Sequence, residues 1–385
     1  MNSFTFYNPT RVILGDGALA QLQNLIPLQT KTLLLFGSGS IKSNGIYDRV
    51  IAAVGDRIVL EVGGILPNPT CEQCDAIRQQ MEDRAIELVL AVGGGSVIDA
   101  AKYIAVAAKL PVSASAWDLI ENKRSITEAL PVGVVLTLPA SGSEMNGNAV
   151  ISNLGKKSKR TLKGDRLYPL FAVLDPEVTK GLSQRQIANG IVDAFSHIIE
   201  QYLTFPSSCP VQDRFSEGLL ATLIELGPLL VTGPYCSDRM ASFMWAATCA
   251  SNGFASIGAP SDWSTHMIAH ELTVEYGLSH AESIGVVLPG VIEYMERDKR
   301  DKLVQYGRRV FALAGADNEE ISWQAVKRTE AFFASLGQPL RLSDFGLGLD
   351  AVECISRKIG MYPVKLGERK NIGEEQVREL LLSRV

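Results

Sequence analysis

LVLAVGGGSVIDAAKYIAVAAK, residues 88–109, decides the fold. Its first five residues are solidly apolar and short, as expected of a strand covered on both faces. Three consecutive glycines, Gly93, Gly94 and Gly95, then turn the chain into a helix that starts near Ser96. The same grammar recurs upstream, where TLLLF (32–36) runs into GSGSIKSNGIYDRVIAAVG. IVLEV (58–62), VGVVLTL (132–138) and FAVL (171–174) are further apolar runs, and a helix is expected from about 70 to 84. Apolar strands alternating with helices predict a parallel, Rossmann-like α/β sheet with helices on both faces. The ligand cleft of such a sheet lies at the carboxyl ends of its strands.

Both glycine turns sit at such ends. Gly37, Ser38, Gly39 and Ser40 form the first, and Gly94, Gly95 and Ser96 the second. Bare backbone N–H groups at a helix N-terminus suit a phosphate, and the dipole there favours negative charge. Neither turn completes the dinucleotide fingerprint, since Lys42 stands where the third glycine of the first turn would be. Two turns in one sheet still favour a nucleotide, whose pyrophosphate and ribose need separate anchors. TLPASGSEMNGNAVIS (137–152) reads as a polar turn or a cofactor contact, and KKSKR (156–160) as a solvated basic loop, with phosphate contact the sharper alternative.

After about residue 180 the pattern becomes helical throughout, which predicts an α/β domain over 1–180 and an all-helical domain over 181–385. Ser183 and Gln186 form a capping box opening SQRQIANGIVDAFSHIIEQYL. That helix is apolar over most of its circumference, and Asp193, His197, Asn189 and Glu200 share its narrow polar strip. A solvated face with an i,i+4 ion pair is the plain reading; a strip lining a cleft suits so apolar a helix better.

The chain has only four histidines, and three of them fall in DWSTHMIAHELTVEYGLSHAES, 262–283. Asp193 with His197, and His266 with His270, are each spaced by four, so each pair shares a helix face. Gly277 reads as a helix C-cap that returns His280 toward the same helix. Oxygen and nitrogen donors without sulfur suit Fe(II) or Zn(II). Spacing leaves open which three of the four histidines join Asp193. The metalloprotease pattern H-E-x-x-H fails because Val274 stands at its last position, and no serine occupies a G-x-S-x-G elbow.

Composition excludes several classes. A net charge of -5 without a basic stripe gives no nucleic-acid surface. The opening MNSFTFYNPTRV lacks a charged and then apolar secretory pattern, and no uninterrupted apolar run reaches a membrane-spanning length, so a cytoplasmic protein is expected. The six cysteines build no disulfide framework, and the lone Cys71-x-x-Cys74 reads as helix packing.

These pieces together resemble the iron-containing alcohol dehydrogenase family. The resemblance rests on GGGSVIDAAK (93–102), TLPASGSE (137–144), ANGIVDAFSHIIEQY (188–202) and the 262–283 histidine stretch. The opening FYNPTRVILGDGAL, QDRFSEGLL and MWAATCASNG point to its butanol dehydrogenase and NADPH-dependent aldehyde reductase branch. The resemblance implies a homodimer, with one catalytic metal in a cleft between the dinucleotide domain and the helical domain. It makes Asp193, His197, His266 and His280 the metal ligands and places His270 beside the nicotinamide and substrate. It makes Gly94, Gly95, Ser96 and Asp99 a pyrophosphate segment, Thr137, Leu138 and Ser141 a second cofactor segment, and Lys159 a basic neighbour of the cofactor. Ser38 stands where NAD-preferring relatives tend to carry an aspartate, which implies NADP(H). Glu61 lies where a conventional fingerprint places its acid, a residue this family does not use. The expected reaction is hydride transfer between nicotinamide C4 and an aldehyde carbonyl. The alternatives are a lyase resembling the dehydroquinate synthases and a non-catalytic nucleotide sensor.

Overall fold

A computed structural model describes residues 1–205 and 208–385. Among the described residues the strands are β1 (Arg11–Leu14), β2 (Thr32–Phe36), β3 (Ile58–Val62), β4 (Leu88–Gly94), β5 (Val132–Leu138), β6 (Asn148–Asn153), β7 (Ser158–Lys163) and β8 (Phe171–Leu174). Six of them form one parallel sheet in the order β1-β8-β5-β4-β2-β3. A single row across it runs Val12, Ala172, Val134, Ala91, Leu35, Val62. All of β2 and β8 is buried, as is β4 up to Gly93, because helices cover both faces. Their unbroken apolar sequence has that cause.

The strand order reverses between β4 and β2. At such a switch the connections leave in opposite directions and open a crevice at the strands' carboxyl ends. The two glycine turns flank this crevice, one after β2 and one after β4. Gly39 has φ 99°, a conformation that favours glycine, at the start of the short Ser40–Ser43 helix. Gly95 opens the Gly95–Ala107 helix, and a β-carbon there would lie 2.4 Å from Ser141 Oγ. The turn is therefore glycine partly because the 137–141 segment packs directly against it.

This α/β unit comprises Tyr7–Ser183 together with Tyr235–Thr248. Three of its strands have no counterpart among the apolar runs of the sequence. β1 is a short edge strand, and β6 pairs antiparallel with β7. The pairing Ser152↔Lys159 puts KKSKR partly in a strand, which corrects the loop reading. A two-stranded ribbon with one face polar has no apolar alternation long enough to announce it.

The other unit comprises Met1–Phe6, Gln184–Pro234 and Cys249–Val385, and is helical. Its Pro210–Thr232 helix is long and apolar enough, by length and composition, to cross a membrane. That qualifies the composition reading. In the fold it packs along Gln184–Tyr202, with Glu217 accepting from Tyr202 Oη at 2.9 Å and from Arg309 Nη1 at 2.9 Å.

Candidate metal centre

The Gln184–Tyr202 helix presents Asp193, His197 and Glu200 at i, i+4 and i+7, one stripe along one face. All three are buried. The Ser264–Tyr276 helix brings His266 and His270, and stops at Gly277 with φ 71°, the left-handed C-cap expected from sequence. Two residues later Ser279 caps the His280–Tyr294 helix through a reciprocal box with Glu282. Arg185 Nε donates to Glu282 Oε1 at 2.9 Å, which ties that box to the start of the Asp193 helix. His280 is thus the first residue of a helix whose start is fixed from two sides.

One oxygen and two ring nitrogens converge. Ligand atoms of Asp193, His266 and His280 all lie within 4.8 Å of one another. Asp193 Oδ1 is 3.9 Å from His266 Nε2 and 3.6 Å from His280 Nε2. It is buried and, among the described residues, accepts no hydrogen bond. A buried carboxylate oxygen in that position is costly unless a cation or donor satisfies it. The donor set fits a divalent metal of the Fe or Zn kind, with nitrogen and oxygen ligands and no thiol.

His197 stands at the margin of this cluster. Its Nδ1 lies 2.8 Å from the Asp193 carbonyl and 3.6 Å from Asp193 Oδ1, and its ring centre is 4.5 Å from that of His266. Burial pulls its pKa down to about 4, against the raising effect of Asp193. The imidazole is therefore neutral at pH 7, as a metal ligand requires. The His270 ring lies 5.1 Å from His280, tilted to it, and 6.4 Å from His266, edge-on to it, ring centre to ring centre, outside the three-donor group.

The depressed His197 pKa has a consequence for the metal-free protein. The unfolded chain takes up a proton near pH 6.5 while the folded one resists until about 4. Stability is then fully present above pH 6.5 and is lost as pH falls toward 4, by up to ~3 kcal/mol. Thermal unfolding of chelator-stripped protein from pH 7 to 4.5 reads this loss, and a flat profile would refute it.

In the α/β unit, the structure brings Leu138 and Ser141 against Gly94 and Gly95. Ser96 Oγ accepts from Asn68 N at 3.3 Å, and Lys159 Nζ donates to Asn68 Oδ1 at 2.8 Å. Asn68, with φ 59°, joins two of the expected cofactor residues and was not singled out in sequence, where it is one polar residue in a loop. Asp99 is differently engaged: Oδ1 accepts from Ser143 Oγ at 2.6 Å and Oδ2 from Val150 N at 2.9 Å. Both oxygens thus hold the 143–150 segment in place. Gly37, Ser38 and Ser40 lie in the turn after β2, with Ser38 and Ser40 exposed. Glu61 accepts from Lys42 Nζ at 2.7 Å and Tyr47 Oη at 2.6 Å. Burial pushes the Glu61 pKa up, but these two bonds outweigh it and hold it below the usual range. Cys71 and Cys74 are buried, and burial raises the Cys71 thiol to about 12, so the C-x-x-C packs a helix and is not reactive.

Residues 9–176 match the family described as iron-containing alcohol dehydrogenase, and residues 187–385 its C-terminal counterpart, the Fe-containing alcohol dehydrogenase family. The chain belongs to the iron-containing alcohol dehydrogenase family and is an oxidoreductase of that type. Within it, the chain stands in the aldehyde reductase and butanol dehydrogenase branch. It is 43% identical over 375 residues to the NADPH-dependent aldehyde reductase YqhD of Escherichia coli (strain K12), spanning 97% of each chain. It is 36% identical over 386 residues to the probable NADH-dependent butanol dehydrogenase 1 of Bacillus subtilis (strain 168), spanning 99% of each. The crystal structure of E. coli K-12 YqhD matches with a TM-score of 0.95 at 41% identity, covering 100% of this chain and 99% of that one.

Proposed function

We propose that this enzyme reduces aldehydes to alcohols with NADPH, by hydride transfer from nicotinamide C4, and uses a divalent metal held by Asp193, His197, His266 and His280. The observation that carries this is the buried, unsatisfied Asp193 Oδ1 facing the Nε2 atoms of His266 and His280. When bound, the metal supplies Lewis-acid polarisation of the carbonyl oxygen and stabilises developing alkoxide charge. The protein's own part is to hold the four donors close together on buried helix faces and to keep His197 neutral. The Gly94–Ser96 turn at the head of its helix anchors the pyrophosphate, and Leu138 and Ser141 close against it.

His270 is the proton donor to the alkoxide oxygen in this reading, near the ligands but not among them. His270→Phe is expected to keep its metal and lose about 10²-fold in kcat, the range of a general acid. Metal analysis beside kinetics decides the matter, and metal loss in the variant would put His270 among the ligands.

The preference for NADPH rests on this chain's own residues, since relatives named for either cofactor are similar to it. Ser38 puts no carboxylate at the glycine turn, and Glu61 is already paired with Lys42 and Tyr47. An aspartate there would repel a ribose 2′-phosphate. Ser38→Asp is expected to lower kcat/KM for NADPH by at least ~10-fold while sparing NADH, like charges being set against each other. An unchanged ratio would show that Ser38 does not meet the 2′-phosphate.

The reading as a whole is tested by NADPH oxidation, followed at about 340 nm, with butyraldehyde on chelator-stripped protein before and after Fe(II) or Zn(II). Metal-dependent turnover is the expected result. NADPH binding without turnover under either metal would favour the sensor or lyase alternatives. The homodimer belongs to the same proposal and is read by light scattering.

A further inference from the structure

Glu200 is buried to 3% exposure and is bonded to the second metal-bearing helix rather than to solvent. Its Oε2 meets His266 Nδ1, and its Oε1 accepts from Thr265 N at 2.6 Å and His266 N at 3.4 Å. The helix it serves needs this help. Trp263, its N-cap, has φ 62° and no side-chain cap bond. The first amide, Ser264 N, goes to Asp262 Oδ1 at 3.0 Å, and the next two go to Glu200. Asp262 is itself clamped by the buried Lys299, whose Nζ lies 2.8 Å from Asp262 Oδ2 and 2.8 Å from Glu368 Oε1. The amides at the start of the His266 helix are thus met by acidic side chains from outside the helix.

We propose that Glu200 is a positioning residue that selects the metal-binding tautomer of His266. The proposal rests on Asp193, His266 and His280 being a metal site. A proton held on Nδ1 by Glu200 leaves the lone pair on Nε2, the atom 3.9 Å from Asp193 Oδ1. The same contact fixes the ring's rotation, because the carboxylate is anchored to backbone amides at its other oxygen. Glu200 also brings a second buried carboxylate, across the His266 ring from Asp193, while the imidazoles bring no charge when neutral. A divalent cation balances two carboxylates, whereas a monovalent one leaves net negative charge buried. Among the described residues the one ion-pair partner of Glu200 is His266, so no lysine or arginine cancels that charge instead.

Two measurements test this. In chelator-stripped wild-type protein with ¹⁵N-labelled histidine, long-range imidazole NMR is expected to show His266, assigned by its loss in His266→Gln, as the Nδ1–H tautomer. Finding Nε2–H there would overturn the proposal without any variant of Glu200 having to fold. Zn(II) competition with a chromophoric chelator is then run on wild type, Glu200→Gln and Glu200→Asp. Glu200→Gln keeps the size and loses the charge, and is expected to bind Zn(II) about 10–100-fold more weakly, the range for such supporting partners. Glu200→Asp is expected to recover part of that affinity, which a merely space-filling role would not produce. Equal Zn(II) affinity in Glu200→Gln, with wild type binding tightly, would overturn the role of Glu200 and leave the metal site standing. Absence of Zn(II) and Fe(II) binding in wild type would instead remove the metal reading, and the selective role with it, whatever tautomer His266 holds.

Discussion

Asp193→Asn is expected to copurify without metal and to lose at least about 10³-fold in aldehyde turnover, the rate equivalent of several kcal/mol of transition-state charge stabilisation. Asp193 is the one anionic donor in the cluster, and its Oδ1 lies 3.6 to 3.9 Å from a nitrogen of each of His197, His266 and His280. Removing its charge removes the electrostatic centre toward which the imidazoles point. The fold should not suffer. In the metal-free state Oδ1 is a buried acceptor with no hydrogen bond among the described residues, so an amide in its place is no worse and can donate to a neighbour. Metal-free Asp193→Asn should therefore melt at or above the temperature of metal-free wild type, while only wild type gains stability on adding Fe(II) or Zn(II). Metal analysis with paired melting curves decides it, and stoichiometric metal in the variant would refute the assignment.

The second large effect lies away from the metal. Lys102→Met is expected to destabilise the protein by about 3–5 kcal/mol, the cost of breaking a buried, fully bonded charge. Lys102 has no solvent exposure, and its Nζ donates to Ser143 Oγ at 2.8 Å, Asn146 O at 2.9 Å, Asn146 Oδ1 at 3.2 Å and Asn148 O at 2.7 Å. It ties the Gly95–Ala107 helix to the segment that follows the expected cofactor residues Thr137, Leu138 and Ser141. Burial lowers its pKa to about 8, against the raising effects of Asp99 and Glu144. Methionine fills the space but takes the Lys102 donor away from Asn146 O and Asn148 O and leaves the buried Asp99 and Glu144 without a neighbouring ammonium.

The lowered pKa supplies a signature. Between pH 8 and 10.5 the unfolded chain keeps the Lys102 proton that the folded chain has released. Wild-type stability should therefore gain up to ~3 kcal/mol from this group as pH rises through that window. Lys102→Met should lack that component. Urea unfolding of both proteins across the window measures the difference, and parallel pH profiles would show that Lys102 does not titrate as described.

What the sequence determined by itself is what nearest neighbours along the chain control. TLLLF, IVLEV, VGVVLTL and FAVL became strands at those residues because an apolar run too short for a helix, bounded by turn residues, has one good use in a covered sheet. Asp193 and His197 share a helix face, and Gly277 ends the next helix in a left-handed turn, both consequences of local geometry. The candidate histidines were legible because four residues of helix rise bring side chains back to one side. Ser279 and Glu282 are local too, an S-x-x-E pattern that marks a helix start by itself.

Tertiary structure alone decided the rest. The reversal of strand order between β4 and β2, which sets both glycine turns beside one crevice, depends on which strands pair, and each strand's own residues would suit several neighbours. KKSKR found a β partner in Asn148–Asn153 through backbone hydrogen bonds that carry no side-chain pattern. Glu200 meets His266 across 66 residues, and Lys102 meets Asn148 across 46. In sequence Glu200 is one residue of a helix's polar strip and Lys102 one lysine of a mostly apolar helix, and neither pattern names a partner. Only packing removed their water, and a buried charge without water must find partners wherever the fold has brought them.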